Sequence, residues 1–295
     1  MDFYGFYTGT EFHAHEYLGA HVTDDGVVFR VFAPAASGIA VIGEFNEWNG
    51  DPMNKIYDGN FWECVIPTAK VGQMYKYRIY DQSGGCLDRC DPYGRRMELR
   101  PHSASIICGG GKQKFTDEKW LKTRDGGLDK PLNIYEIHAG SWRCKPDEED
   151  QKDVAEHWYN YRELADLLVP YLKENHYHYV EMMPLAEHPS DESWGYQISG
   201  FFSPTSRYGT PDDLKYLVNK CHNAGIGVIM DFVPVHFAVD DYALWNFDGT
   251  ALYEYPHGDV GKSEWGSCNF MHSRGEVRSF LQSAADYWLE EFHLD

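Results

Sequence analysis

The chain has 295 residues, enough for one large domain or a large and a small one, and sets 26 Lys and Arg against 46 Asp and Glu, a formal net charge of −20. So acidic a surface argues against a nucleic-acid or anionic-membrane partner, because basic patches supply the affinity for both. Aromatic residues make up 16% of the sequence, a share that builds a core and also offers ring faces for stacking.

Met1–Thr10 has neither the basic nor the apolar stretch of a signal peptide, and no apolar run approaches the roughly 18 residues that a membrane span needs. The 7 Cys include no C-x-x-C pair, and Cys86 with Cys90 alone is too little for a metal site. A reducing cytoplasmic setting with inert thiols is expected, and no membrane contact. Residues 1–20 are rich in aromatics and His without a clear period and read as a lead-in. From His21 the texture turns to short strands. Gly26–Ala33 runs to Pro34, Ile39–Ile42 leads into a turn over Gly43–Gly50, Phe61–Ile66 runs to Pro67, and Met74–Tyr80 alternates with period two. Strands of this length and spacing predict a β-sandwich over 21–110. Gly109–Gly111 then opens a linker over 111–130.

After Pro131 the pattern changes. Ile134–His138 reads as a strand. Tyr161–Lys173 reads as a helix with Leu164, Leu167, Leu168, Tyr171 and Leu172 on one face, kinked or shortened by Pro170. Tyr179–Met183 is a second strand, stopped by Pro184. Thr210-Pro211-Asp212-Asp213 carries a cap, a first-turn proline and two acids, and so starts a helix whose apolar positions are Leu214, Leu217, Val218 and Cys221. Gly225 ends it, and Ile226–Met230 is a third strand. Asp231 and His236 then follow a strand's C-terminal end, where α/β sheets bind ligands. Two readings of this pair stay open from the residues alone, a turn cap with an ordinary loop histidine or part of a site. A last helix spans Glu276–Phe292 with Val277, Phe280, Leu281, Ala284, Trp288, Leu289 and Phe292 inward. Alternation of strand and helix predicts a parallel sheet. The sequence stops after three such units, so a longer parent chain is expected.

Five motifs in this order resemble one family: Gly43–Gly50 (GEFNEWNG), Ile134–Trp142 (IYEIHAGSW), Val180–Pro189 (VEMMPLAEHP), Ser193–Asp213 (SWGYQISGFFSPTSRYGTPDD) and Asp231–Phe237 (DFVPVHF). They are similar to those of the glycogen (1,4-α-glucan) branching enzymes of the α-amylase clan. The resemblance implies an immunoglobulin-like sandwich of the glycogen-binding type. About three βα units of a (β/α)8 barrel would follow over 131–295, ending before the fourth strand. It also implies retaining chemistry with two carboxylates and no metal or organic cofactor, acting on α-glucans such as glycogen, amylose and malto-oligosaccharides.

Residue by residue, Tyr196 resembles the family's stacking Tyr at the −1 sugar, and Asp231 and His236 its first active-site pair, with Asp231 an orienting group. Trp194 and Gln197 would support them, core packing being the other reading of Trp194. The nucleophilic Asp and the acid/base Glu of the family have no counterpart within this chain, whose Asp295 resembles the residue that leads into the fourth strand. Trp48 and Lys76 match a glycan-binding surface, but Ser83–Cys86 stands where a second stacking aromatic is expected, so a structural use of Trp48 is an equal reading. Near His176 a glycine usual in the family is replaced. Two rivals remain: a debranching or trehalose-releasing α-glucan hydrolase, and a non-catalytic glycan-binding protein.

Overall fold

The computed structural model describes residues 1–124, 129–146, 157–256 and 258–295. Part of the expected linker and part of the expected barrel, 125–128 and 147–156, lie outside the described residues. The chain divides into two compact units, one of Met1–Gly110, Ala186–Ser203 and Val233–Tyr287, the other of Gly111–Leu185, Pro204–Phe232 and Trp288–Asp295.

The first unit opens with a short helix, α1 (Phe3–Thr8), where the sequence showed no period. Its hold is tertiary. Ser279 Oγ donates to the carbonyl of Phe6 at 3.0 Å, and Arg278 donates to that of Thr8 at 2.8 Å. Nine strands follow: β1 (Gly19–Thr23), β2 (Gly26–Phe32), β3 (Gly38–Gly43), β4 (Asp51–Pro52), β5 (Asn54–Ile56), β6 (Phe61–Ile66), β7 (Met74–Tyr80), β8 (Cys86–Arg89) and β9 (Ser105–Ile106). One antiparallel sheet runs β1-β2-β6-β5; the other runs β4-β3-β7-β8, with β9 also on β7. This is the expected sandwich. The period-two pattern of β7 sends Tyr75, Tyr77 and Ile79 into the core, where the rings of Phe29 and Tyr75 meet edge to face at 5.0 Å. Each such ring, fully buried, stabilises the fold by about 2–3 kcal/mol.

The second unit holds α2 (Glu118–Thr123) within the stretch expected as linker, then β10 (Ile134–Ile137), α3 (Tyr161–Glu174) and β11 (Tyr179–Met182). After two short strands of the first unit, β12 (Ala186–Glu187) and β13 (Gly200–Pro204, its last residue in the second), come α4 (Pro211–Asn223) and β14 (Gly227–Met230). β10, β11 and β14 form a parallel sheet in that order, pairing Ile134 with Tyr179 and Tyr179 with Gly227. This is the parallel sheet that the alternation of strand and helix predicts. β15 (His236–Phe237) and β16 (Cys268–Asn269), both in the first unit, and α5 (Gly275–Phe292), which belongs to it up to Tyr287, complete the elements.

The α4 start is built as its residues dictate. Thr210 Oγ1 accepts from the Asp213 N–H at 3.3 Å, and Asp213 Oδ2 accepts from the Thr210 N–H at 2.9 Å. Two helices depart from expectation. α3 runs through Pro170, which lies on its exposed side and deprives the helix of one N–H rather than ending it. Its buried face also takes in Ala165 and Val169, leaving Leu167 and Tyr171 half-buried. In α5, Leu289 points outward. Gly227 has a packing reason: a Cβ there would come within 2.2 Å of the Tyr179 ring.

Candidate active site

In the first unit, the chain leaves β12, makes a turn at Asp191–Ser193 and passes through two left-handed residues, Trp194 (φ 53°) and Gly195 (φ 90°). That turn leaves the Trp194 ring 54% exposed. The Tyr196 N–H donates back to the carbonyl of Ser193 at 3.0 Å. His236, on β15, is fixed by antiparallel pairing with Asn269 on β16. Its Nε2 lies 2.8 Å from the backbone carbonyl of Tyr196. A carbonyl only accepts, so Nε2 carries the hydrogen and Nδ1 is the ring's other polar edge.

Gln197 donates from Nε2 to the carbonyl of Trp265 at 3.4 Å, and the Trp265 ring lies 6.0 Å from the His236 ring. Trp265 is 67% exposed. The Tyr196 backbone, Gln197, His236 and Trp265 therefore form one cluster, which brings an indole together with an imidazole and an amide. Such a surface suits a flat hydroxyl-rich ligand, with ring faces for its C–H side and polar groups for its edges.

Asp231 belongs to the second unit. It follows β14 directly, and its N–H donates to the carbonyl of Met182 at 2.9 Å. Its carboxyl meets that of Glu181 on β11. Burial first, then the Asp231 charge and a hydrogen bond with Asp231, push the Glu181 carboxyl above its ordinary range, and Glu136 on β10 adds to this. Three neighbouring strands thus bring acids together at or near their C-terminal ends. Glu181 and Trp265 escaped sequence reasoning. Glu181 was the one polar residue inside an otherwise apolar strand, a legible sign. Trp265 stands in a loop with no periodic signal.

At the start of this same sheet the charges are paired instead. His222 Nδ1 lies 2.7 Å from Asp117, and its Nε2 lies 2.9 Å from Asp295. Asp295 also accepts from the Val228 N–H at 2.9 Å, and its own N–H donates to the Val228 carbonyl at 2.9 Å. It therefore runs beside the free edge of β14.

On the sandwich, Trp48 is half-exposed in the turn after β3, in left-handed conformation with φ 62°. Lys76, on the paired strand β7, donates to Ser103 Oγ at 2.8 Å, which uses one of its three donors. Among the described residues no cluster of His, Cys, Asp or Glu is disposed to hold a metal ion, and no helix is long and apolar enough to cross a membrane.

Residues 17–94 match the carbohydrate-binding module 48 family (isoamylase N-terminal domain), and residues 166–250 match the α-amylase catalytic domain family. The whole chain aligns at 46% identity with the 1,4-α-glucan branching enzyme GlgB of Fusobacterium nucleatum, of which it covers 48%. It aligns at 43% with the GlgB of Bacillus caldolyticus, of which it covers 44%. The chain thus spans about half the length of the curated relatives it matches. Among solved structures, a pullulanase from Paenibacillus barengoltzii, in complex with maltohexaose and α-cyclodextrin, superposes with a TM-score of 0.75. That match has 20% identity and covers 94% of this chain and 47% of the pullulanase, so it speaks for the fold alone.

Proposed function

The chain belongs to the 1,4-α-glucan branching enzymes of the α-amylase clan, as an N-terminal portion, and from that premise we propose that it supplies part of a transglycosylating active site. The observation that carries this reading is the 46% identity running along the full chain. In the whole protein, a carboxylate displaces the 4-oxygen of an α-1,4 bond and forms a glucosyl ester, while a carboxylic acid protonates the departing chain end. A sugar 6-hydroxyl then attacks the anomeric carbon of that ester, expels the carboxylate and gives its proton to the same acid/base, which leaves an α-1,6 branch. Both carboxylates lie outside this chain on this reading.

The residues present bind and orient. Tyr196 stacks on the −1 sugar. His236 donates to its hydroxyls, Asp231 orients the site's other polar groups, and Gln197 and Trp194 support them. Residues 21–110 form a glycan-binding module joined by 111–130 to the barrel portion at 131–295, with Trp48 and Lys76 as its surface. The substrates are glycogen, amylose and malto-oligosaccharides, in the cytoplasm, a setting that fits seven free thiols.

The test is iodine staining of amylose. We expect no branching by the pure 295-residue chain. A longer parent that continues past Asp295 should branch amylose, and its Tyr196→Ala variant should be slowed at least tenfold. A parent that releases reducing sugar without forming branches would overturn the reading in favour of a hydrolase.

A further inference from the structure

Glu181 is the acid inside β11, and the strand register fixes what it faces. Glu136 on β10 and Ile229 on β14 both pair with Glu181. In-register residues of parallel strands share a face of the sheet, and a residue two positions on returns to it. The ladder runs one residue past β14, since the Asp231 N–H donates to the Met182 carbonyl at 2.9 Å. Glu136, Glu181, Ile229 and Asp231 therefore lie on one side of the sheet. Tyr179 and Gly227 lie there too, and a Cβ at Gly227 would meet the Tyr179 ring. Val180, Met182 and Val228 alternate with them and are buried on the other side.

The Glu181 and Asp231 carboxyls are hydrogen-bonded to each other. Two carboxyls in that contact do not both ionise, so the pair keeps one proton. Glu181 stands between the other two acids, and the charges of Asp231 and Glu136 both oppose its ionisation. His138, just past β10, lies 2.9 Å from Ser141 Oγ. A protonated carboxyl donates and a carboxylate accepts.

We propose that Glu181 is a positioning residue, whose carboxyl O–H donates to Asp231 and holds that carboxylate in the orientation from which it orders the polar groups around the −1 sugar. The role of Asp231 rests on the branching reading; the bond between the two carboxyls does not.

Two variants of similar size separate the bond from mere filling of space. Glu181→Gln keeps a donor, and Glu181→Met removes it. In the longer parent, assayed by branching of amylose, Glu181→Gln should keep kcat within about threefold of wild type. Glu181→Met should lose about tenfold or more in kcat with KM within about threefold, because an orienting group at the reacting sugar acts in the transition state more than in binding a long chain. Wild-type activity in Glu181→Met, or equal loss in both variants, overturns the proposal, and branching by the wild-type parent leaves the branching reading standing.

A second measurement needs no reaction. In the 295-residue chain, the carboxyl ¹³C shift of Glu181 followed against pH should place its ionisation above the ordinary range, and Asp231→Asn should bring the midpoint down. A midpoint that Asp231→Asn leaves in place overturns the proposal, whether or not the parent branches amylose. A parent that forms no branches takes the role of Asp231 away with the branching reading.

Discussion

Two buried histidines set the two units apart. In the first unit, His15 lies among rings, 5.4 Å from Tyr287 and 6.0 Å from Phe202, and its Nδ1 has no hydrogen-bond partner. Burial, helped by the nearby Arg95 charge, pushes its pKa down to about 4. In the second unit, His222 is at least as deep, yet each ring nitrogen faces a carboxylate. Burial works against the charges of Asp117 and Asp295, but hydrogen bonds, those from His222 foremost, outweigh it and hold both carboxyls below their ordinary range. One histidine is therefore kept neutral and the other is clamped between anions. Depth alone does not decide what a buried histidine does; what faces its nitrogens does.

The largest way to break this comparison is His222→Ala. It takes one hydrogen-bond partner from each of two buried carboxylates, leaving Asp117 with His293 and Asp295 with Arg124, Trp120 and the Val228 N–H, and it removes the ring stacked 5.4 Å from Trp120. A lost hydrogen bond to a buried polar group costs about 1–3 kcal/mol, here at two carboxylates, and the cavity left by the ring adds to it. The loss should appear as faster hydrogen exchange at the Val228 amide, on the strand that Asp295 borders. Protection there equal to wild type would mean that the cluster contributes nothing to the second unit.

Next in size is the response to acid. A histidine whose folded pKa lies near 4 binds fewer protons folded than unfolded at any pH below its ordinary 6.5, so its contribution falls as pH drops from 6.5 towards 4. At pH 5 the loss through His15 is about 2 kcal/mol. His21, also pushed down to about 4 by burial, acts in the same sense. Asp91, pushed up to about 6 by burial, acts in the opposite sense, as do the raised Asp240 and Glu254. His15→Phe isolates one of these groups. Between pH 7 and 5 the variant's first unit should lose about 2 kcal/mol less than the wild type's, in urea titrations followed at its own amides. The second unit responds in the same sense but in a more acid window. Asp117 and Asp295 stabilise it above an ordinary carboxyl pKa near 4 and lose that only below it. Identical pH slopes in variant and wild type would remove His15 from the account.

The contrast between the histidines was not legible in the sequence, although most of the fold was. Local chemistry announces itself: Thr210-Pro211-Asp212-Asp213 formed its capping box, and Leu214, Leu217, Val218 and Cys221 are all buried on α4. The α1 helix did not, because its partners Ser279 and Arg278 lie some 270 residues away. The site divides the same way. A strand followed by Asp231 and His236 could be read in order, and Tyr196 came with its motif. That His236 would bond the Tyr196 carbonyl, that Trp265 would lie beside it, or that Glu181 would face Asp231 depends on long-range closure.

A third histidine sharpens the comparison at the smallest scale, because its ring plays no part. α3 and α4 end alike. The Tyr177 N–H reaches the Leu172 carbonyl at 3.0 Å, and the His176 N–H reaches that of Lys173 at 3.2 Å. The Ile226 N–H reaches Cys221 at 3.0 Å, and the Gly225 N–H reaches His222 at 2.9 Å. Both closures need one left-handed residue, which is His176 at φ 58° in one helix and Gly225 at φ 78° in the other. A side chain there is strained by about 1 kcal/mol or more, part of which glycine returns through its looser unfolded chain. His176→Gly should therefore stabilise the second unit by about 0.5–1 kcal/mol, read as a higher urea midpoint at unchanged slope. Gly225→His should lose a similar amount, since nothing lies within 4 Å of a Cβ built at Gly225 and only the backbone resists. If the two exchanges fail to mirror each other, the exposed His176 ring is holding the helix end by contacts of its own.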